Sequence, residues 1–160
     1  GAVDAGYVTN VQHNVLLPLD GKGFTFLGDA GQEIRMGTGG LATSTVTIRS
    51  QKDLLQKVLR AVVKAQRFVM DPTKAEKSTD YLTEWSKQDR SAAEVVVKDY
   101  ILGKGILWKD GLMSDEALKT TIAFSREALK ITAEFQADQL FDTSFAKAAA
   151  QEMDSKGWKP

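Results

Sequence analysis

The pattern of apolar and polar positions changes character once along the chain, around residues 37–50. Ahead of that point the pattern is short-range. Val3-Asp4-Ala5-Gly6-Tyr7-Val8-Thr9 predicts a short, largely buried strand. Thr9 and Asn10 are good capping residues, and the apolar positions Val11, Val15 and Leu16 then share one helical face, which Pro18 and Asp20-Gly21-Lys22-Gly23 bring to an end. Phe24-Thr25-Phe26-Leu27 alternates with period two and predicts a second strand, stopped by Gly28-Asp29. About a dozen residues between the strands suits a parallel pair joined by a crossover helix. The polar stretch from Gln32 to Gly37 is assigned to no element.

Behind residue 50 the pattern is helical. Leu54, Leu55, Val58, Leu59, Val62, Val63, Phe68 and Val69 form a wide stripe at the helical period, predicting a helix from about Gln51 to Val69. Ser50 and Asp53 have capping-box spacing at its start. Asp71-Pro72 ends this helix and opens the next, which carries Ala75, Leu82 and Trp85 as a weaker stripe. Ser91-Ala92-Ala93-Glu94 predicts another capped helix ending at Gly103. Ser114 caps a long helix from Asp115 to about Phe135, with Leu118, Ile122, Ser125, Leu129 and Thr132 on one face. Asp142 caps a last helix whose Phe145, Ala149 and Met153 face inward before Gly157 terminates it. The Gly37–Ser50 segment between the two textures has glycines at 37, 39 and 40 and then Thr- and Val-rich sequence, which predicts a crossover strand. An ordinary loop is the alternative.

At 160 residues the chain can build an ordinary core. Apolar residues make up 42% and charged residues 26%, a globular profile. Lys+Arg and Asp+Glu both number 21, and the two signs alternate along the helices, which argues against nucleic acid as a partner. The absence of cysteine removes disulfides, thiolate nucleophiles and Cys-ligated zinc. His13 is the only histidine, so no two-His metal site exists, and no Gly-x-Ser-x-Gly elbow accompanies it. No catalytic residue, metal site or cofactor is expected.

Binding has more to work with. The strand-to-helix junction at Tyr7, Thr9 and Asn10 places hydroxyl and amide groups where α/β proteins hold ligands, although plain helix capping accounts for the same residues. The segment from Thr38 to Thr45 offers hydroxyls and open backbone at Gly39 and Gly40, against an edge strand as the alternative. Trp85, Trp108 and Trp158 are expected to anchor core or loops.

Three runs, Gly1-Ala2-Val3-Asp4-Ala5-Gly6-Tyr7-Val8-Thr9, Gly23-Phe24-Thr25-Phe26-Leu27-Gly28-Asp29-Ala30 and Gly39-Gly40-Leu41-Ala42-Thr43, resemble in order and spacing the latter half of ABC-transporter substrate-binding proteins. The branch is the one handling nitrate, sulfonates, taurine and thiamine precursors. The helix Asp53–Ala65, the Asp71-Pro72 junction and the tail Asp138–Phe145 are similar as well.

The resemblance implies a helix-rich α/β chain, the C-terminal part of a bilobed type II periplasmic-binding-protein fold. Residues 1–36 would be a partial second lobe (β-α-β), 37–50 a crossover and hinge strand, and 51–160 the helical completion of the first lobe. It implies a solute-binding component of an ABC importer, holding a small anionic or aromatic solute in an interlobe cleft at Tyr7, Thr9, Asn10, Thr38, Gly39 and Gly40. The implied partners are the ABC permease and either a second copy or a companion polypeptide supplying the rest of the first lobe. The implied location is the periplasm or another extracytoplasmic space. Two other readings stay open: a pyrimidine-synthase-like enzyme on the same scaffold, for which His13 is the sole candidate, and a helical protein-interaction module.

Overall fold

The structure is a computed structural model that describes residues 5–6, 25–28, 30–37 and 39–160. Its described residues are helix-rich and contain no strand. In order the elements are α1 (Ala30–Glu33), α2 (Thr45–Ser50), α3 (Lys52–Val69), a 3-10 turn (Pro72–Lys74), α4 (Ala75–Ser86), α5 (Arg90–Val95) and a wider π-helical run (Val96–Gly103). A second 3-10 turn (Lys109–Gly111), α6 (Asp115–Ala128), α7 (Ala137–Leu140) and α8 (Ser144–Ser155) follow. The chain divides into two compact units, Gly1–Asp29 with Val69–Ile106, and Ala30–Phe68 with Leu107–Pro160.

In the first unit the Asp71-Pro72 junction forms as the sequence predicts. Asp71 Oδ1 accepts from the Thr73 backbone N–H at 2.8 Å and from its hydroxyl at 2.7 Å. Pro72 takes the first helical position, where no N–H is needed. These donors, the Thr73 hydroxyl foremost, hold the Asp71 carboxyl below the usual carboxylate range. Helix α4 packs on α5 and on the π-helical run. Its buried residues are the small Ser78 and Thr79, facing a core of Ala93, Val97 and Tyr100. Trp85, expected to face inward, is 83% exposed, because the buried face of α4 is carried by these small residues in its middle. Helix α5 begins earlier than the Ser91 cap predicts. Lys87 takes a left-handed conformation (φ 57), Asp89 is extended, and the Asp89 carbonyl accepts from Ala92 and Ala93.

The second unit is built on α3. Val63, Ala149 and Met153 form its buried cluster, with Trp158 packed against them. The three alanines Ala146, Ala149 and Ala150 give α8 a narrow buried face. Helix α8 ends in a Schellman motif, with Gly157 at φ +60 and N–H groups of Gly157 and Trp158 donating to the carbonyls of Asp154 and Met153. That geometry is what returns Trp158 onto Met153. Along α3, the expected stripe is only partly covered. Val63 is fully buried, whereas Leu54 is 53% and Val58 40% exposed.

Several expectations are corrected. The strand Phe24–Leu27 is not formed at Thr25–Leu27, which are exposed and irregular. The crossover strand is instead helix α2 over Thr45–Ser50. Ser44 Oγ accepts from the Thr47 N–H at 3.1 Å, so local capping prevails over β-propensity where no neighbouring strand offers a ladder. Ser50 closes α2, donating to the Val46 carbonyl at 2.9 Å, and the Ser50–Asp53 capping box does not form. Helix α6 starts at Ser114 as predicted but stops at Ala128, with Lys130 turning the chain at φ 55. Leu129, expected on its inner face, is therefore 70% exposed. Of the Val3–Thr9 strand only Ala5 and Gly6 are described, both irregular and exposed, and the helix of Val11–Leu17 lies outside the described residues.

Polar contacts tie α3 to α8 and to the turn before α6. Arg67 Nε and Nη2 donate to Asp110 Oδ1 and Oδ2 at 2.6 and 2.9 Å, and Nη1 to Asp154 Oδ1 at 2.7 Å. Seven residues earlier along α3, Arg60 pairs with Glu152 at 2.7 Å. The Arg67 and Asp110 side chains are 14% and 8% exposed, so removing the guanidinium strands a buried carboxylate. Arg67→Ala is therefore expected to cost about 3–5 kcal/mol, read as a fall in denaturant midpoint, and Arg67→Lys should recover only part because an ammonium lacks the planar fork. Arg90, exposed and paired with Glu76 and Asp80, should by contrast leave the denaturant midpoint nearly unchanged when changed to Ala.

Asp142 supplies a pH-dependent test. Its Oδ1 accepts from the Ser144 hydroxyl at 2.6 Å and N–H at 2.9 Å, and these bonds hold its carboxyl below the usual range. A carboxyl with a lowered folded pKa contributes above its unfolded pKa, and the contribution disappears as pH falls through the folded value. Asp142→Ala should cost about 1 kcal/mol at pH 7, and the gap between the two chains should close as pH is lowered through and below the ordinary carboxylate range.

Candidate functional site

An open concavity lies in the second unit, beside the first turns of α6. Its construction starts at Gly37. The Gly37 N–H donates to Thr121 Oγ1 at 2.9 Å, and that hydroxyl in turn donates to the Ala117 carbonyl at 2.7 Å within α6. A Cβ at position 37 would lie 2.5 Å from Met113 Sδ, so any side chain here would oblige the flexible Met113 thioether to move. The segment just ahead, which the sequence left unassigned, is thereby laid along α6. Ser114 opens α6, its Oγ accepting from the Ala117 N–H at 3.2 Å.

The resulting cleft, about 380 Å³, is lined by Glu33, Ile34 and Arg35 from this segment, by Trp108, and by Ser114, Glu116, Ala117 and Thr120 of α6. The Arg35 guanidinium lies over the Trp108 ring, 4.9 Å from its centre. A stacked guanidinium keeps its N–H groups in its own plane and available to an acceptor. Glu33 and Glu116 bring two carboxylates to the same cleft, and none of the three charged groups forms an ion pair among the described residues. Trp108 directly precedes the Lys109–Gly111 turn that Arg67 holds through Asp110, so its backbone is anchored from the core. The lining offers charge, hydroxyls and an aromatic face, which is binding chemistry.

The sequence-predicted positions fall elsewhere. Gly39 and Gly40 are exposed, with open space where a side chain would be, and they do not line the cleft. Tyr7, Thr9, Asn10 and Thr38 lie outside the described residues, as does His13. Trp158 anchors the core as expected. Trp108 acts as a loop anchor that also presents a ring to Arg35, and the sequence carried no signal for that pairing. Among the described residues, no group of three or more His, Asp or Glu could hold a metal ion, and no helix is long and apolar enough to cross a membrane.

A prediction follows from the Gly37 anchor. Thr121→Val removes the acceptor for the Gly37 N–H while keeping the side-chain shape, so amide exchange at Gly37 should accelerate by about tenfold, the loss of a hydrogen bond worth about 1 kcal/mol or slightly more. Exchange at Val63 in the core should be nearly unchanged.

Comparison with known protein families, with curated proteins and with solved structures gives no match.

Proposed function

We propose that the chain is the C-terminal portion of the solute-binding component of an ABC importer, of the branch that handles nitrate, sulfonates, taurine and thiamine precursors. The single observation that carries this reading is the ordered series of family-like segments, from Gly1–Thr9 through Gly39–Thr43 to Asp138–Phe145. The helical half of that series supports it. A long helix at Lys52–Val69, a capped Asp71-Pro72 junction, a second helix at Ala75–Ser86 and an Asp142-capped last helix occur in the order the resemblance implies. In this reading a receptor of two α/β lobes, to both of which this chain contributes, would enclose a small anionic or aromatic solute. Tyr7, Thr9, Asn10, Thr38, Gly39 and Gly40 would face the cleft, the permease would be the partner, and the location would be extracytoplasmic.

A second reading, a helical protein-interaction module, is favoured by the absence of strands among the described residues and by the exposure of Leu54, Val58 and Trp85. Calorimetry on the full parent protein with nitrate, short alkyl sulfonates and aminopyrimidines separates the two. Saturable binding of one of these solutes, together with a β contribution to the far-ultraviolet circular dichroism, is the expected result. No heat from any of them and a purely helical spectrum would overturn the receptor reading in favour of the module.

A further inference from the structure

We infer that the cleft between residues 33–35 and the first turns of α6 binds a small zwitterion, with its anionic end on Arg35 and its cationic end toward Glu33 and Glu116. The cleft lies wholly within one compact unit, so this inference does not rest on the receptor reading and is tested on the 160-residue chain itself.

The argument is one of charge. Glu33, Arg35 and Glu116, all exposed, line one cleft of about 380 Å³, and Arg35 lies over Trp108 without an ion pair to either glutamate. Elsewhere in the same unit, opposite charges brought together do pair, as Arg60 with Glu152 and Arg67 with Asp110 and Asp154. Placed over the ring, the guanidinium keeps N–H groups that can grip a carboxylate or sulfonate through two parallel hydrogen bonds. A simple anion placed there meets repulsion from two carboxylates, and a simple cation meets Arg35. A molecule carrying both charges at opposite ends answers both. The hydroxyls of Ser114 and Thr120 add hydrogen bonds to either end. The volume sits at the small end of the range for ligand sites, which fits a short bifunctional solute.

The test titrates the chain with a series of ω-amino carboxylates from glycine to 6-aminohexanoate, beside propionate and propylammonium, by calorimetry and by tryptophan fluorescence. One member of the series should bind saturably, and at least about tenfold more tightly than either single-charge probe, as expected for one added charge-assisted contact. The fluorescence change should vanish in Trp108→Phe and persist in Trp85→Phe. Arg35→Gln should lower affinity by about tenfold or more on the same reasoning, with an unchanged circular dichroism spectrum showing that the fold is kept. Glu116→Arg, at an exposed position, should reverse the preference so that propionate outbinds the zwitterion. Equal affinity for propionate and the amino carboxylates, no binding by any probe, or a preference that survives Glu116→Arg would each overturn the inference.

Discussion

The second unit depends on one buried guanidinium. Arg67 leaves α3 near its C-terminal end and holds both oxygens of Asp110 and one of Asp154, joining the helix to the turn before α6 and to α8. Burying such charges costs several kcal/mol apiece, and only near-ideal geometry offsets it. The backbone shows how that geometry is reached. Asp110 is held at φ 57, a conformation that costs a non-glycine residue on the order of 1–3 kcal/mol and persists only where surrounding contacts over-determine it. Two parallel hydrogen bonds from a planar fork provide that determination. Asp110 and Asp154 also raise the already high pKa of Arg67 further, so the guanidinium stays charged throughout the accessible range.

The apolar core beside it is small, and its geometry explains why the ion pairs matter. Helix α8 carries alanines on its buried face, which removes little apolar area from water per residue. Met153 and Trp158 supply the larger surfaces, and Trp158 reaches the core only because Gly157 adopts the left-handed conformation that ends α8. Glu152 contributes at the rim, drawing the Lys156 ammonium and the Arg60 guanidinium, which together hold its carboxyl below the ordinary range. Such exposed pairs add little individually. The buried fork at Arg67 and the cluster around Val63 therefore carry the specificity of this packing.

What was legible in the sequence follows from how local each cause is. The α3 helix, the Ser114 cap, the Asp71-Pro72 junction, the Asp142 cap and the Gly157 stop depend on residues within a turn of one another, and all formed as read. The strand over the Thr- and Val-rich segment did not, because β-structure needs a partner strand and a Ser44 cap needs only Thr47. The start of α5 slipped from Ser91 to Asp89, whose extended backbone lets its carbonyl accept from Ala92 and Ala93. The inward faces of Trp85 and Leu129 were misjudged because periodicity shows that a face exists, not whether another element reaches it. The cleft was invisible for the same reason. Arg35 sat in a stretch with no periodicity, Trp108 in a loop, and nothing local in either sequence points to the other.

The glycine-rich segment shows how differently neighbouring glycines can act. At Gly37 the absent side chain leaves room for the end of Met113, and Thr121 accepts from the backbone N–H. At Gly39 and Gly40 nothing lies within reach, so their contribution is backbone freedom alone. A point of attachment thus precedes a permissive stretch, and α2 begins where Ser44 supplies a cap. Attachment at Gly37 fixes the segment that carries Glu33 and Arg35 against α6, whatever the chain does beyond it. The permissive residues then absorb any change in direction toward α2 and α3, so the cleft and the start of the α3 helix are mechanically separable. Attachment at Gly37 and open space at Gly39 and Gly40 therefore sit within one short stretch of chain.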